Sequence, residues 1–206
     1  MPHSVKPEPK PDQLKYHLSA RLLTDVSRLL AKPARAKSIH DELVRLSIKT
    51  RLPCVLTRIE PDGSFIAVDK AEDAAELIVS VPIGHRFPPD APAQMRVRLA
   101  WLMNEERKLA LSLWKPTAYT STTIIDQNEL IREIEITRVR GYAISRAEYS
   151  PGVTTLAVPV FGSKGQIALV LQCPGLESDV PLREREVAEP LMEAAELIGT
   201  LIDEQI

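Results

Sequence analysis

The stretch Arg138-Val139-Arg140-Gly141-Tyr142-Ala143, continued by Glu148-Tyr149-Ser150-Pro151-Gly152-Val153 and the run Leu156-Ala157-Val158-Pro159-Val160, decides how this chain folds. It starts inside a helix that Asp126 can cap and that turns Leu130, Ile131, Ile134 and Val139 inward. Gly141 ends that helix, because the left-handed residue that closes a helix costs least as glycine. Two strands are predicted beyond the turn, Thr154 to Phe161 and Gln166 to Gln172, joined at Gly162-Ser163-Lys164-Gly165. The closing segment, Leu182 to Ile202, spaces Val187, Leu191, Ala194, Leu197, Ile198 and Leu201 as one helical stripe.

Working outward toward the start, Pro53 to Ile59 and Phe65 to Val68 form a predicted hairpin about the turn Pro61-Asp62-Gly63-Ser64. Ala75 to Val81 is a third short strand. The loop Pro82 to Pro89 leads into helices at Ala91 to Leu102 and Glu105 to Leu113. Further upstream a helix from about Ser38 turns Ile39, Leu43, Leu46 and Ile48 inward. A leucine-striped helix spans 19–31, capped by Ser19 and stopped at Lys32-Pro33. Residues 1–15 hold four prolines and little to bury, which reads as a disordered tail. Strands in antiparallel succession mixed with helices indicate an α+β fold, one sheet covered by helices.

Bulk composition narrows the function classes. With 206 residues, 44% apolar and 26% charged, the chain can bury a real core. Its 26 basic and 28 acidic side chains give no electrostatic signature of a nucleic-acid binder. No apolar run approaches the roughly 20 residues that span a bilayer, and no signal peptide is evident. With two cysteines, Cys54 and Cys173, a disulfide framework is not expected, and the chain reads as cytoplasmic. The histidines at 3, 17, 40 and 85 have no metal-ligand spacing, and neither a catalytic cluster nor a phosphate loop stands out.

The opening stretch, taken with Tyr16-His17-Leu18, Leu77-Ile78-Val79-Ser80-Val81-Pro82-Ile83-Gly84, Arg86-Phe87-Pro88 and Thr123-Ile124-Ile125-Asp126, resembles the effector-binding domain of the isocitrate lyase regulator (IclR) family of bacterial transcription factors. The resemblance implies a GAF- or profilin-like domain whose curved antiparallel sheet and covering helix enclose a small molecule. It divides the chain into a tail (1–15), a linker helix (16–34) and the effector-binding domain (35–206). Carried over by position, the effector site comprises Val79, Ala93, Gln94, Ser145, Val153, Thr155, Val170 and Gln172. Val153 and Thr155 are two apart, as are Val170 and Gln172, so each pair shares one side of its strand.

The chain departs from the family on the covering helix, where Asp90-Ala91-Pro92-Ala93-Gln94-Met95-Arg96 replaces a pattern with histidine, glycine and lysine. Met95 stands where a glycine would give room. Ser145 stands for a common acid and Val170 for a common serine. These differences argue against a small carboxylate and for a neutral or partly aromatic metabolite held by Gln94, Ser145, Thr155 and Gln172. Several other residues have plain readings. Glu148 and Tyr149 point to different sides, His85 is an exposed loop residue, and Cys173 is a buried thiol near the pocket mouth. Trp101 and Trp114 are anchors, and Arg183-Glu184-Arg185-Glu186 is the solvated side of the last helix.

No cofactor is expected. The expected function is ligand sensing, transmitted by quaternary change in a homodimer or homotetramer, with no catalysis and no membrane partner. DNA would be contacted only through a winged-helix domain that the 15 residues before Tyr16 are too few to form. A stand-alone small-molecule-binding protein or an enzyme on the same fold is the alternative.

Overall fold

The computed structural model describes residues 33–72 and 79–203. All that follows concerns the compact unit Lys37–Ile206. The predicted helix 19–31 and most of the predicted strand 75–81 lie outside the described residues. Val79 to Val81 have no regular secondary structure.

Helix α1 (Pro33–Thr50) buries Leu43, Leu46, Ser47 and Thr50, a stripe at helical spacing. Ile48 lies five residues from Leu43, on the other side of the turn, and is 61% exposed, contrary to the sequence reading. Six strands follow among the described residues: β1 (Cys54–Ile59), β2 (Phe65–Ala71), β3 (Arg86–Phe87), β4 (Ala143–Arg146), β5 (Val153–Phe161) and β6 (Ile167–Leu176). They form one antiparallel, curled sheet in the order β3-β2-β1-β6-β5-β4. The join between β1 and β6, with Val55 opposite Gln172 and Leu56 opposite Leu171, fuses the early hairpin to the late ribbon.

The sheet has two covered faces. Leu56, Ile144, Leu156, Val158, Leu171 and Cys173 point into one layer with α1 and the last helix, α5 (Glu184–Asp203). Cys54 and Cys173 lie in this layer, both fully buried, with sulfurs 3.3 Å apart. Cys173 is therefore on the side away from any pocket mouth, and its Cys54 neighbour together with burial pushes the thiol well up. The residues between them in the pleat, Ala143, Ala157 and Val170, face the opposite layer with Phe65, Phe87 and helix α2 (Pro92–Trp101).

Two more helices back α2: α3 (Asn104–Ser112) and α4 (Gln127–Arg140). Asp126 accepts a hydrogen bond from the Glu129 amide, and Gly141 closes α4 at φ 92°, both as the sequence predicts. The buried stripe of α4 is Leu130, Ile134 and Thr137, with Ile131 half-buried. Val139, off that stripe by two residues, is 90% exposed rather than inward. On α5, Leu197 is likewise exposed while Val187, Leu191, Ala194 and Ile198 are buried. A 3₁₀ turn, Val180–Arg183, precedes α5. Here the charged run is more than a solvated face. Arg183 donates to Asp179 and to the Thr50 carbonyl, while Glu184 accepts from Tyr142 and Arg146.

α5 reaches β5 without an intervening side chain at Gly199, where a Cβ would lie 2.8 Å from the Phe161 carbonyl oxygen. Helix propensity alone makes Gly199→Ala stabilising by about 1 kcal/mol. Separating α5 from β5 to admit a methyl costs about 1–3 kcal/mol. The contact wins: Gly199→Ala is expected to lower the urea midpoint, and a raised midpoint would show that the helix stands clear of the strand.

Candidate functional site

Alternation along the strands builds the site. Ser145, Thr155 and Pro174 face one another across β4, β5 and β6, and the next rung on the same face is Ala143, Ala157 and Gln172. At one end of this face the side chains are polar. Two residues further along they become the apolar layer under α2. The polar end opens into a cleft of about 230 Å³, roofed by the first turn of α2 and walled by Val79 to Pro82, His85, Phe87 and Tyr149. That volume lies just below the roughly 300–1,000 Å³ of sites for drug-sized ligands, which suits a small metabolite.

The structure brings Val79, Ala93, Gln94, Ser145, Val153, Thr155 and Gln172 to this cleft. Val170 is different: it is fully buried and packs with Phe65, Ala93, Val97 and Ala157 beneath the cavity. The alternation that puts it on the right face also puts it too deep. Met95 does not crowd the cleft either, since it is turned into the layer between α2 and α4 with Leu99, Leu130 and Ile134.

The sequence reading missed an aromatic wall. His85 meets Phe87 edge-on at 4.5 Å, Tyr149 lies 5.9 Å from Phe87, and Tyr119 backs Tyr149 at 4.9 Å. His85 is half-buried in this wall rather than an exposed loop residue. No short motif marks these residues, because they come from three separate segments, β3 with the residue before it and two loops. Burial raises the Tyr149 hydroxyl above its usual range, and the Asp90 carboxylate adds to this. Burial and the hydrogen bond to Asp90 push Tyr119 up to about 12.

The roof is fixed by a buried ion pair. Arg96 of α2 and Glu148, after β4, are 1% and 6% exposed. The guanidinium meets the carboxylate through both of its terminal nitrogens, and one of these also donates to the Ile144 carbonyl at 2.7 Å. Glu148 and Tyr149 do point to different sides, the acid to Arg96 and the ring to the cleft. Their loop begins at Ala147 with φ 53°, a strained conformation for alanine. Threonines hold it there: Thr120 donates to the Ala147 carbonyl at 2.7 Å and Thr123 to the Glu148 carbonyl at 2.6 Å.

One polar atom beside the cleft has no partner. Gln172 is 2% exposed, and its side-chain carbonyl Oε1 accepts no hydrogen bond. Such an orphan is costly, and the oxygen is closed to water as well as to protein donors. Among the described residues the lining carries no Asp, Glu, Lys or Arg, and no group of three or more metal-ligating side chains occurs.

Residues 33–200 match the family described as "Bacterial transcriptional regulator IclR C-terminal". The chain belongs to the IclR family. It is 30% identical over 115 residues to the HTH-type transcriptional regulator XynR of Escherichia coli K12, covering 56% of this chain and 46% of that protein. It is 29% identical over 153 residues to KdgR of Dickeya chrysanthemi, covering 74% of this chain and 50% of KdgR. The chain thus spans about half the length of these IclR-type relatives. The solved IclR transcriptional regulator from Alicyclobacillus acidocaldarius superposes with a TM-score of 0.77 at 26% identity, over 87% of this chain and 72% of that one. The curled sheet under α2 is therefore the IclR effector-binding domain, as the resemblance implied.

Two outcomes follow for this IclR domain. Arg96→Met and Glu148→Leu each strand a buried charge, so each alone should cost about 3–5 kcal/mol in urea unfolding. The double variant should cost clearly less than either, and an additive loss would show that the pair is not closed to water. Gln172→Leu removes the unmatched carbonyl, whose desolvation is worth about 1–3 kcal/mol. It should raise the melting midpoint by about 2–4 °C per kcal/mol recovered, whereas a lower midpoint would mean the carbonyl is already satisfied.

Proposed function

We propose that this unit is the ligand-sensing module of an IclR-type transcriptional regulator and that a small metabolite occupies the cleft beneath α2. The observation that carries the reading is a half-open, aromatic-walled cavity of about 230 Å³ beneath the start of α2, with Gln94, Ser145, Thr155 and Gln172 among its lining. The effector contacts are Gln94, Ser145, Thr155 and Gln172, with Val79, Ala93 and Val153 as apolar lining, and His85, Phe87 and Tyr149 join them.

In this reading occupancy is felt as a difference in affinity between two arrangements of subunits, a homodimer or homotetramer, with couplings of about 1–3 kcal/mol. DNA is contacted through a winged-helix domain, which this unit does not supply. The regulator works in the cytoplasm; no described helix is long and apolar enough to cross a membrane. The role is sensing and not catalysis. The described lining offers His85 and Tyr149 as its titratable groups, and burial moves the tyrosine away from the range of a working base.

A thermal-shift screen of the chain against a metabolite collection tests this. A true effector at about 100 times its Kd should stabilise by about 2.7 kcal/mol, saturably. Val153→Trp, which fills the cleft from a half-exposed strand position, should abolish that shift while leaving the unliganded midpoint within a few degrees. Turnover of a hit, or a shift indifferent to Val153→Trp, would refute the reading.

A further inference from the structure

The chain has two cysteines, and the sheet sets them against each other. The register that places Val55 opposite Gln172 and Leu56 opposite Leu171 places Cys54 opposite Cys173 one rung further along. The two are 119 residues apart in sequence, and both are fully buried in the layer that the sheet shares with α1 and α5. Directly opposed residues of an antiparallel pair hold their α-carbons about 4.5–5.5 Å apart. That separation falls inside the roughly 4.4–6.8 Å that a disulfide spans. The sulfurs already meet at 3.3 Å, so a bond asks them to close only to about 2.05 Å. Two small apolar residues would fill the same space. A thiol on each side of one rung, and nowhere else in 206 residues, adds a chemistry that packing does not need.

We infer that Cys54 and Cys173 are a redox modification site: a small hydroperoxide converts the facing thiols into a cross-strand disulfide, and a dithiol reverses it. The bond clamps β1 to β6 at the join between hairpin and ribbon, one residue from the Gln172 that lines the cleft. In the cytoplasmic setting proposed above, facing thiols stay reduced until an oxidant reaches them, and disulfides there are transient. The site stands on the pair itself and does not depend on the effector reading.

Burial shuts out bulky thiol reagents and leaves a small neutral oxidant, admitted when the layer opens locally. The Cys54 neighbour and burial hold the Cys173 thiol protonated, which makes Cys173 the resolving partner. In the first step the Cys54 sulfur attacks one peroxide oxygen. The O–O bond breaks, and the departing hydroxide takes the Cys54 proton and leaves as water. The Cys173 sulfur then attacks the sulfenic acid so formed. The S–O bond breaks, and the hydroxyl leaves with the Cys173 proton as a second water. The two thiols give up one electron each, and one peroxide is reduced to two waters.

The test treats the full reduced chain with millimolar hydrogen peroxide and follows free thiols, intact mass and tryptic peptides. Both thiols should disappear together, and peptide 52–58 should appear joined to peptide 165–183, two hydrogens lighter than their sum. Dithiothreitol should restore both thiols. The oxidised form should unfold in urea with an equilibrium constant about a hundredfold lower, because a long closed loop constrains the unfolded chain. In Cys173→Ala, dimedone should trap Cys54 as the sulfenic acid and no link should form. Met103, 74% exposed, is the internal control for contact with peroxide. Intact thiols in molecules whose Met103 is oxidised overturn the inference, as do higher oxides on one cysteine alone or a bond between two chains. A linked pair in a protein that the metabolite screen leaves silent keeps this inference and sinks the effector reading alone. Saturable hits with inert thiols do the reverse.

Discussion

The arrangement of this domain depends on the buried pair between Arg96 and Glu148. Two full charges are taken out of water to make it, which is rarely favourable in itself. What the pair supplies is position. The planar guanidinium engages both carboxylate oxygens and the Ile144 carbonyl, so α2 is held at a defined height and rotation over β4. The cleft exists because the roof is held up there and not collapsed onto the sheet. The same pair holds Arg96 away from the cavity, whose described lining carries no Asp, Glu, Lys or Arg.

The second organising fact is that a single sheet serves two cores. Odd and even positions along β4, β5 and β6 point to opposite sides, so Gln172 and Cys173, or Thr155 and Leu156, are chain neighbours that live in different environments. One side is largely apolar and carries α1 and α5. The other is apolar under the middle of α2 and polar where the helix begins. The cleft at this polar end is an interruption of the core.

Much of this was legible in the residues. The Asp126 and Gly141 caps, the glycine turn at 162–165 and the β1–β2 hairpin all have local chemical signatures, and each is where the sequence places it. The two-residue period on β5 and β6 was enough to nominate the lining face, but it carries no information about depth, so Val170 was nominated with Gln172 and lies beneath the floor. Ala143–Arg146 is too short for any period to show, and β4 emerges only from its pairing with β5. The aromatic wall, the Arg96–Glu148 pair and the threonine staples at 120 and 123 join residues up to 62 positions apart. Nothing local announces them. The inward assignments of Ile48, Val139 and Leu197 failed for one reason: a helix stripe is narrower than the set of apolar residues near it.

The proximity of Gln172 and Cys173 has a mechanical corollary. Their α-carbons are about 3.8 Å apart along one strand, and the second of them is wedged against Cys54 in the layer that α1 closes. The partition between cavity and helix layer is thus a membrane of backbone one peptide thick, stiffened on both sides by close packing. A tug on the amide of Gln172 has no slack to be absorbed in before it displaces the thiol behind it.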